Sequence, residues 1–427
     1  MSRYLKRVAD GQLQRKLHTH GATLIVGPKG CGKTTTAKQF AKSVVEFQDE
    51  DQRENLLLIA NTKPSDLLLG DKPRLFDEWQ DAPKLWGAIR KNVDDTGNVG
   101  DYILTGSTSK KVDTPHSGTM RITKMKMYPM SLFETGESNG TVSLANLFDS
   151  PKSYQVCHSS LTIDGVKQAV CRGGWPSFLH ISSEEEQLDI ATDLLTQICE
   201  VDISTIDGVK RSPLWTRTIL RSYARNICTL ASAKTIYEDA AANHDMSKDT
   251  FYDYVNALKE LFIIEDIEAW NPAIRSKTAI RSSAKRNFTD PSIGAAALGL
   301  TPAYFASDYK TLGFLFESLV MRDLKIYSSA NGGYLSYYRD RYGLEADAVL
   351  HLADGRYALI EIKLGESQVE EGAAHLTEIE QLVVAHNKTE KQAPLRIPDL
   401  KLVITATEYG YRRDDGVLVI PIGCLAP

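Results

Sequence analysis

Leu24-Ile25-Val26-Gly27-Pro28-Lys29-Gly30-Cys31-Gly32-Lys33-Thr34-Thr35-Thr36-Ala37 decides how this chain is read. An apolar run predicts a buried strand. The Gly-x-x-x-x-Gly-Lys-Thr spacing after it, followed by a plausible helix, is that of a phosphate loop. Gly27, Gly30 and Gly32 let backbone N–H groups close around an anion with no Cβ in the way. The helix behind them adds the partial positive charge of its N-terminus. Gly27, Pro28, Lys29, Gly30, Cys31, Gly32, Lys33, Thr34 and Thr35 are therefore expected to bind ATP. In that role Lys33 reaches the β- and γ-phosphates, and the Thr34 hydroxyl ligates Mg²⁺.

The next sharp signal is Arg74-Leu75-Phe76-Asp77-Glu78-Trp79-Gln80, an apolar strand ending in two acids. Its distance from the loop suits one or two βα units. Asp77 is expected to hold Mg²⁺ through water, and Glu78 to polarise the attacking water. Leu56–Ala60, between the two motifs, reads as a buried strand. Asp101-Tyr102-Ile103-Leu104-Thr105-Gly106-Ser107 reads as another, and its carboxyl end brings Thr105 or Ser107 toward the γ-phosphate. A basic segment with Lys110, Lys111, Arg121, Lys124 and Lys126 follows. Arg121 reads either as a finger acting in trans on a neighbour's γ-phosphate or as a cation of a solvated loop.

At 427 residues the chain has room for two to four domains of roughly 100–200 residues each. A net charge of −5 excludes a uniformly basic surface but not a local basic patch. Its six cysteines never form a C-x-x-C pair, so reduced thiols in the cytoplasm are expected rather than a disulfide framework or a zinc ribbon. No apolar run approaches a membrane span and no leader is recognised, so no membrane partner is expected.

Beyond the first motifs, Arg121 through Tyr128-Pro129-Met130-Ser131-Leu132-Phe133-Glu134 and then Arg172-Gly173-Gly174-Trp175-Pro176 continue the pattern. In this order the motifs resemble AAA-type ATPases that carry a C-terminal DUF4143 region, and the resemblance covers nearly the whole chain. It implies an α/β multidomain protein working as a homo-oligomeric ring, possible hexamers included, with ATP and Mg²⁺ as cofactors. Residues 1–140 are expected to form the P-loop ATPase core with a parallel sheet, and 141–207 a helical lid. Arg172 reads as a nucleotide sensor or a surface cation.

Residues 208–286 read as a winged helix-turn-helix. Arg217, Arg221 and Arg225 share one helix face, fit for a DNA backbone, for solvent or for a subunit contact. The second short helix, Asp249–Lys259, is too acidic to read base edges well. Arg275, Lys277, Arg281, Lys285 and Arg286 are the better DNA contact, from the wing. DNA binding and a protein-contact module both remain open readings.

In residues 287–427 Glu361 and Lys363 share a face of an apolar strand, with Asp347 fourteen residues earlier on a neighbouring strand. With Glu317 they reproduce the spacing of a PD-(D/E)XK nuclease core, in keeping with the restriction-endonuclease-like fold that the resemblance implies. Asp347 and Glu361 would hold Mg²⁺, and Lys363 would orient water or stabilise the pentavalent phosphate. The alternative is a buried ion-pair network without chemistry. Val417–Ile420 is expected at the sheet edge.

Overall fold

The computed structural model describes residues 4–107, 118–242, 245–272, 283–392 and 394–427. The chain divides into two compact units. One comprises Met1–Pro129 with Thr205–Val209 and Asn256–Phe262; the other comprises Met130–Ser204, Lys210–Val255 and Ile263–Pro427.

The first unit begins with α1 (Val8–Leu17) and β1 (Ala22–Val26), and the phosphate loop leads into α2 (Lys33–Phe40). It continues with β2 (Ser43–Glu46), α3 (Arg53–Thr62), β3 (Arg74–Asp77), α4 (Lys84–Thr96), β4 (Tyr102–Gly106) and β5 (Ile122–Lys126). The strands form one sheet in the order β2-β3-β4-β1-β5, every neighbouring pair parallel. All five residues of β1 and all five of β4 are buried, as strands covered on both faces by helices require. Register sets Val26 beside Gly106 and Lys126. Parallel strands put all carboxyl ends on one edge, so the ends of β1, β3 and β4 gather where a ligand crevice forms in such sheets.

The segment Leu56–Ala60 is helical, within α3, and not the expected strand. Three consecutive leucines favour a helix, and Leu58 lies exposed while Ala60 faces the core. The outer strand is instead β2, whose Val44-Val45 pair is β-branched.

The second unit contains β6 (Val142–Ser143), β7 (Val156–His158), α5 (Ile163–Arg172), α6 (Asp189–Gln197), α7 (Pro213–Arg225) and α8 (Ala233–Ala241). Helix α9 (Lys248–Glu260) contributes residues to both units. Then come β8 (Ala269–Trp270), α10 (Pro291–Leu298), α11 (Tyr309–Ala330), β9 (Tyr334–Arg339), β10 (Glu345–His351) and β11 (Tyr357–Lys363). The chain closes with α12 (Val369–Thr389), β12 (Leu400–Thr405), β13 (Tyr409–Arg412), β14 (Leu418–Pro421) and β15 (Leu425–Ala426). Strands β7 to β14 build an eight-stranded mixed sheet in the order β7-β13-β14-β12-β11-β10-β9-β8, and β15 pairs with β6. Strand β14 lies inside this sheet, between β12 and β13, and not at the expected edge. All four of its residues are buried, which an edge position does not demand. The stretch 262–270 contributes two single antiparallel bridges, Ile264 to Phe288 and Ile267 to Lys285, and the short β8.

A buried ion cluster holds the two segments that the sequence marks most strongly here. Arg322 on α11 donates to Asp290 at 2.9 Å and pairs with Asp323 at 2.8 Å. Asp290 also accepts from the Gly174 N–H (3.0 Å), and Asp323 from the Leu132 N–H (2.9 Å). Trp175 Nε1 donates to Ser292, whose hydroxyl donates to Asp290. A Cβ at Gly174 would run into the Met130 carbonyl. The strings 131–134 and 173–176 therefore meet on one buried charge network, which accounts for their composition without chemistry.

Replacing Arg322 by Met should leave two buried carboxylates without their cation and cost about 3–5 kcal/mol, read as an earlier urea transition. Burial also lowers the His351 imidazole to about 4. An unfolded histidine titrates near 6.5, so below that pH the unfolded chain binds a proton that the folded one does not. Stability should fall as pH drops from about 6.5 toward 4. His351→Gln, which preserves a partner for Ser336 (2.7 Å), should flatten that part of the urea midpoint–pH curve.

Candidate functional site

The sequence fold of the first unit delivers its polar residues to the carboxyl edge of the sheet. The strand β1 ends at Val26, and the loop turns on Gly27, Gly30 and Gly32, the last two with φ of 76° and 98°. At Gly27 a Cβ would collide with the Met127 carbonyl. Lys29 and Gly30 face solvent, whereas Cys31 and Lys33 are buried. The Lys33 ammonium donates to the carbonyls of Gly27 (3.0 Å) and Pro28 (2.9 Å), so its charge is held inside the loop.

Asp77 ends β3, and two hydroxyls converge on its Oδ1. Thr34 at the start of α2 donates at 2.7 Å, and Thr105 at the end of β4 at 2.5 Å. Glu78 follows in the left-handed region, at φ 53°, a conformation that costs a non-glycine residue of order 1 kcal/mol and clusters at working sites. Its backbone N–H donates to Thr105 Oγ1 (3.2 Å). Its carboxylate accepts from Gln80 Nε2 and from the Ser107 hydroxyl, the latter at 3.2 Å. Lys33, Thr34, Asp77, Glu78 and Thr105 are thus brought to one edge as expected. A Mg²⁺ ion fits this donor set, because it takes oxygen ligands, keeps several waters and needs only one or two carboxylates.

Arg121 is not among them. It precedes β5 at the amino edge of the sheet, where its carbonyl accepts from Ala22 N–H and its guanidinium pairs with Asp94 at 2.6 Å. Sequence reasoning also missed Arg7, just ahead of α1. Its buried guanidinium donates to the carbonyls of Cys31 and Tyr128, both at 2.9 Å, and so ties the phosphate loop to the segment after β5. No local motif surrounds it. A long-range contact of this kind leaves no spacing signal.

In the second unit Arg172 is buried, bonded to Glu137 at 2.8 Å and laid over the Phe178 ring at 3.8 Å, so it is not a surface cation. Of the three arginines along α7, Arg217 pairs with Glu200 and Arg225 with Asp239. Lys110 and Lys111, like Arg275, Lys277 and Arg281, lie outside the described residues. Lys285 and Arg286 do not form an exposed basic wing. Arg286 is buried against Asp266 at 2.9 Å, and Lys285 is about 1% exposed.

The Lys285 ammonium enters the acid constellation of the expected nuclease core. It lies 2.8 Å from Glu317, 3.1 Å from Glu345 and 3.5 Å from Asp347. Burial pushes this ammonium down, and the three carboxylates outweigh that and hold it well above its ordinary value. Glu361, about 2% exposed, pairs with Lys363 at 2.6 Å and faces His375 at 3.5 Å. Burial raises its carboxyl to about 8. Among the described residues no group of three or more His, Cys, Asp and Glu side chains is arranged to hold a metal ion. The divalent ion expected on Asp347 and Glu361 does not fit here, because a lysine already supplies the positive charge. Glu317, Asp347 and Lys363 also border an open cleft of about 720 Å³, with Tyr309, Lys310 and Gln368 on its walls.

Residues 19–136 match the model of an AAA domain, 163–304 that of a domain of unknown function, DUF8612, and 312–425 that of another, DUF4143. The first of these matches supports an AAA domain, of an ATPase type, over residues 19–136. No curated protein matches the chain by sequence. Among solved structures, the Walker-type ATPase PABY2304 of Pyrococcus abyssi is similar at 12% identity and a TM-score of 0.42, over 69% of this chain and 96% of that one. A STAND protein with a tetratricopeptide repeat sensor, PH0952 from Pyrococcus horikoshii, is similar at 12% identity and a TM-score of 0.23. That alignment covers 76% of this chain and 48% of the STAND protein, about half its length. No helix among the described residues is long and apolar enough to cross a membrane.

Replacing Gly27 by Ala should force the loop away from Met127 and weaken binding of a fluorescent ATP analogue by at least about tenfold, the equivalent of 1.4 kcal/mol.

Proposed function

We propose that this chain binds ATP with Mg²⁺ and hydrolyses it. The observation that carries the reading is the convergence of the Thr34 and Thr105 hydroxyls on Asp77, beside a phosphate loop and next to Glu78. Backbone N–H groups of Gly27 to Thr35 receive the phosphates, and Lys33 exchanges its carbonyl oxygens for those of the β- and γ-phosphates. Thr34 and Asp77 hold Mg²⁺, which neutralises phosphate charge when bound. Glu78 accepts a proton from the attacking water, and its Gln80 and Ser107 contacts fix the direction in which it does so. Thr105 aligns Asp77 and the backbone of Glu78.

A trans role for Arg121 requires a second copy whose phosphate loop faces the amino edge of this sheet, consistent with work in a homo-oligomeric ring. Helices α7 to α9 and the two antiparallel bridges after them support the winged-helix reading of 208–286. For the C-terminal region, the ion-paired acid cluster favours a non-catalytic assembly or DNA-binding module, with ATP setting its conformation, over an ATP-gated nuclease.

The direct test is phosphate release from ATP with and without Mg²⁺. Lys33→Ala should abolish turnover. Glu78→Gln should still bind ATP while turnover falls about 10²–10⁴-fold. Chelating Mg²⁺ should stop the wild type. Wild-type turnover in Lys33→Ala would sink the proposal.

A further inference from the structure

Glu317 and Asp347 border the 720 Å³ cleft, and Glu345 joins them around Lys285; three gathered carboxylates without that lysine would attract a hard divalent cation. We infer that Lys285 is the resident cation of this site: its ammonium takes the place of a metal, so the cleft of the second unit works without one.

Three observations carry this. The ammonium lies 2.8, 3.1 and 3.5 Å from three separate carboxylates and also donates to the Asp347 carbonyl at 3.2 Å. Its backbone is clamped, because Lys285 and Ile267 exchange N–H to carbonyl bonds of 2.8 Å in both directions, so the side chain is delivered from a fixed point. Neighbouring acceptors are engaged as well: Asp347 Oδ2 accepts from the Ile362 N–H at 2.8 Å, and Glu361 is paired with Lys363. A divalent ion entering this cluster would meet a buried ammonium that cannot swing aside without losing its carboxylate partners. The positive charge that these acids meet comes from the chain itself, Lys285 among all three and Arg339 on Glu345 at 3.3 Å.

Mn²⁺ titration of the full, nucleotide-free chain, followed by the electron paramagnetic resonance signal of free Mn²⁺, tests this directly. Wild type and Asp347→Asn should bind the same number of ions per chain. Lys285→Met, which keeps the stem and removes the charge, should bind one more. That extra ion should disappear when Asp347→Asn is added. Loss of an ion from the wild type on Asp347→Asn would overturn the inference, because a metal would already be resident. So would a folded Lys285→Met that gains none. Lys285→Gln, which retains a donor to Glu317, serves where circular dichroism shows Lys285→Met unfolded. The wild-type and Asp347→Asn pair identifies the occupant on its own.

Discussion

A charge taken out of water must find its partners at hydrogen-bond distance, and the second unit depends on one such match. Arg322 is almost fully buried, and Asp290 and Asp323 are fully so. The two carboxylates accept backbone N–H groups from Leu132 and Gly174, which are far apart in sequence. Two short segments, which also bury Leu132 and Trp175, are thereby anchored to α10 and α11. The cluster works as a joint. Its partners are arranged so that neither carboxylate is left with an open desolvated lone pair facing an apolar wall.

The same constraint shapes the nucleotide site in a different way. Lys33 and Asp77 are satisfied by oxygen and hydroxyl groups of the protein itself: the Gly27 and Pro28 carbonyls for one, the Thr34 and Thr105 hydroxyls for the other. These are the kinds of partner that phosphate oxygens and a hydrated cation can replace one for one. The site is held ready by bonds that are exchangeable, and Arg7 steadies the loop from behind through Cys31 and Tyr128. At Lys285 the match is of the opposite kind. A buried ammonium held among three carboxylates is not readily exchanged, in contrast to the hydroxyl partners of Asp77.

Much of the first unit was legible in order along the chain. The phosphate loop, the strand ends at Asp77 and Thr105, and the acid after Asp77 are all local patterns, and a parallel sheet aligns strand ends without further information. Leu56–Ala60 was misread because an apolar run alone does not tell a strand from a helix, and leucines among polar neighbours settle into the latter. Arg121 was found as a cation near the right motifs, yet strand polarity sends it to the far edge of the sheet.

The amino-acid sequence by itself determined the chemistry of the nucleotide site, because its residues are fixed relative to one another by short spacings and by the direction of strands. Only the tertiary structure decided the fate of the lone charges. Arg7, Arg172, Lys285 and Arg286 carry no motif that tells a buried cation from an exposed one. Lys285 stands 32 residues from Glu317 and 62 from Asp347, and a basic run before it reads as a surface for DNA. Which way such a side chain turns depends on the carboxylates that the fold brings to it from distant strands and helices. That balance of desolvation against pairing exists only once the chain is folded.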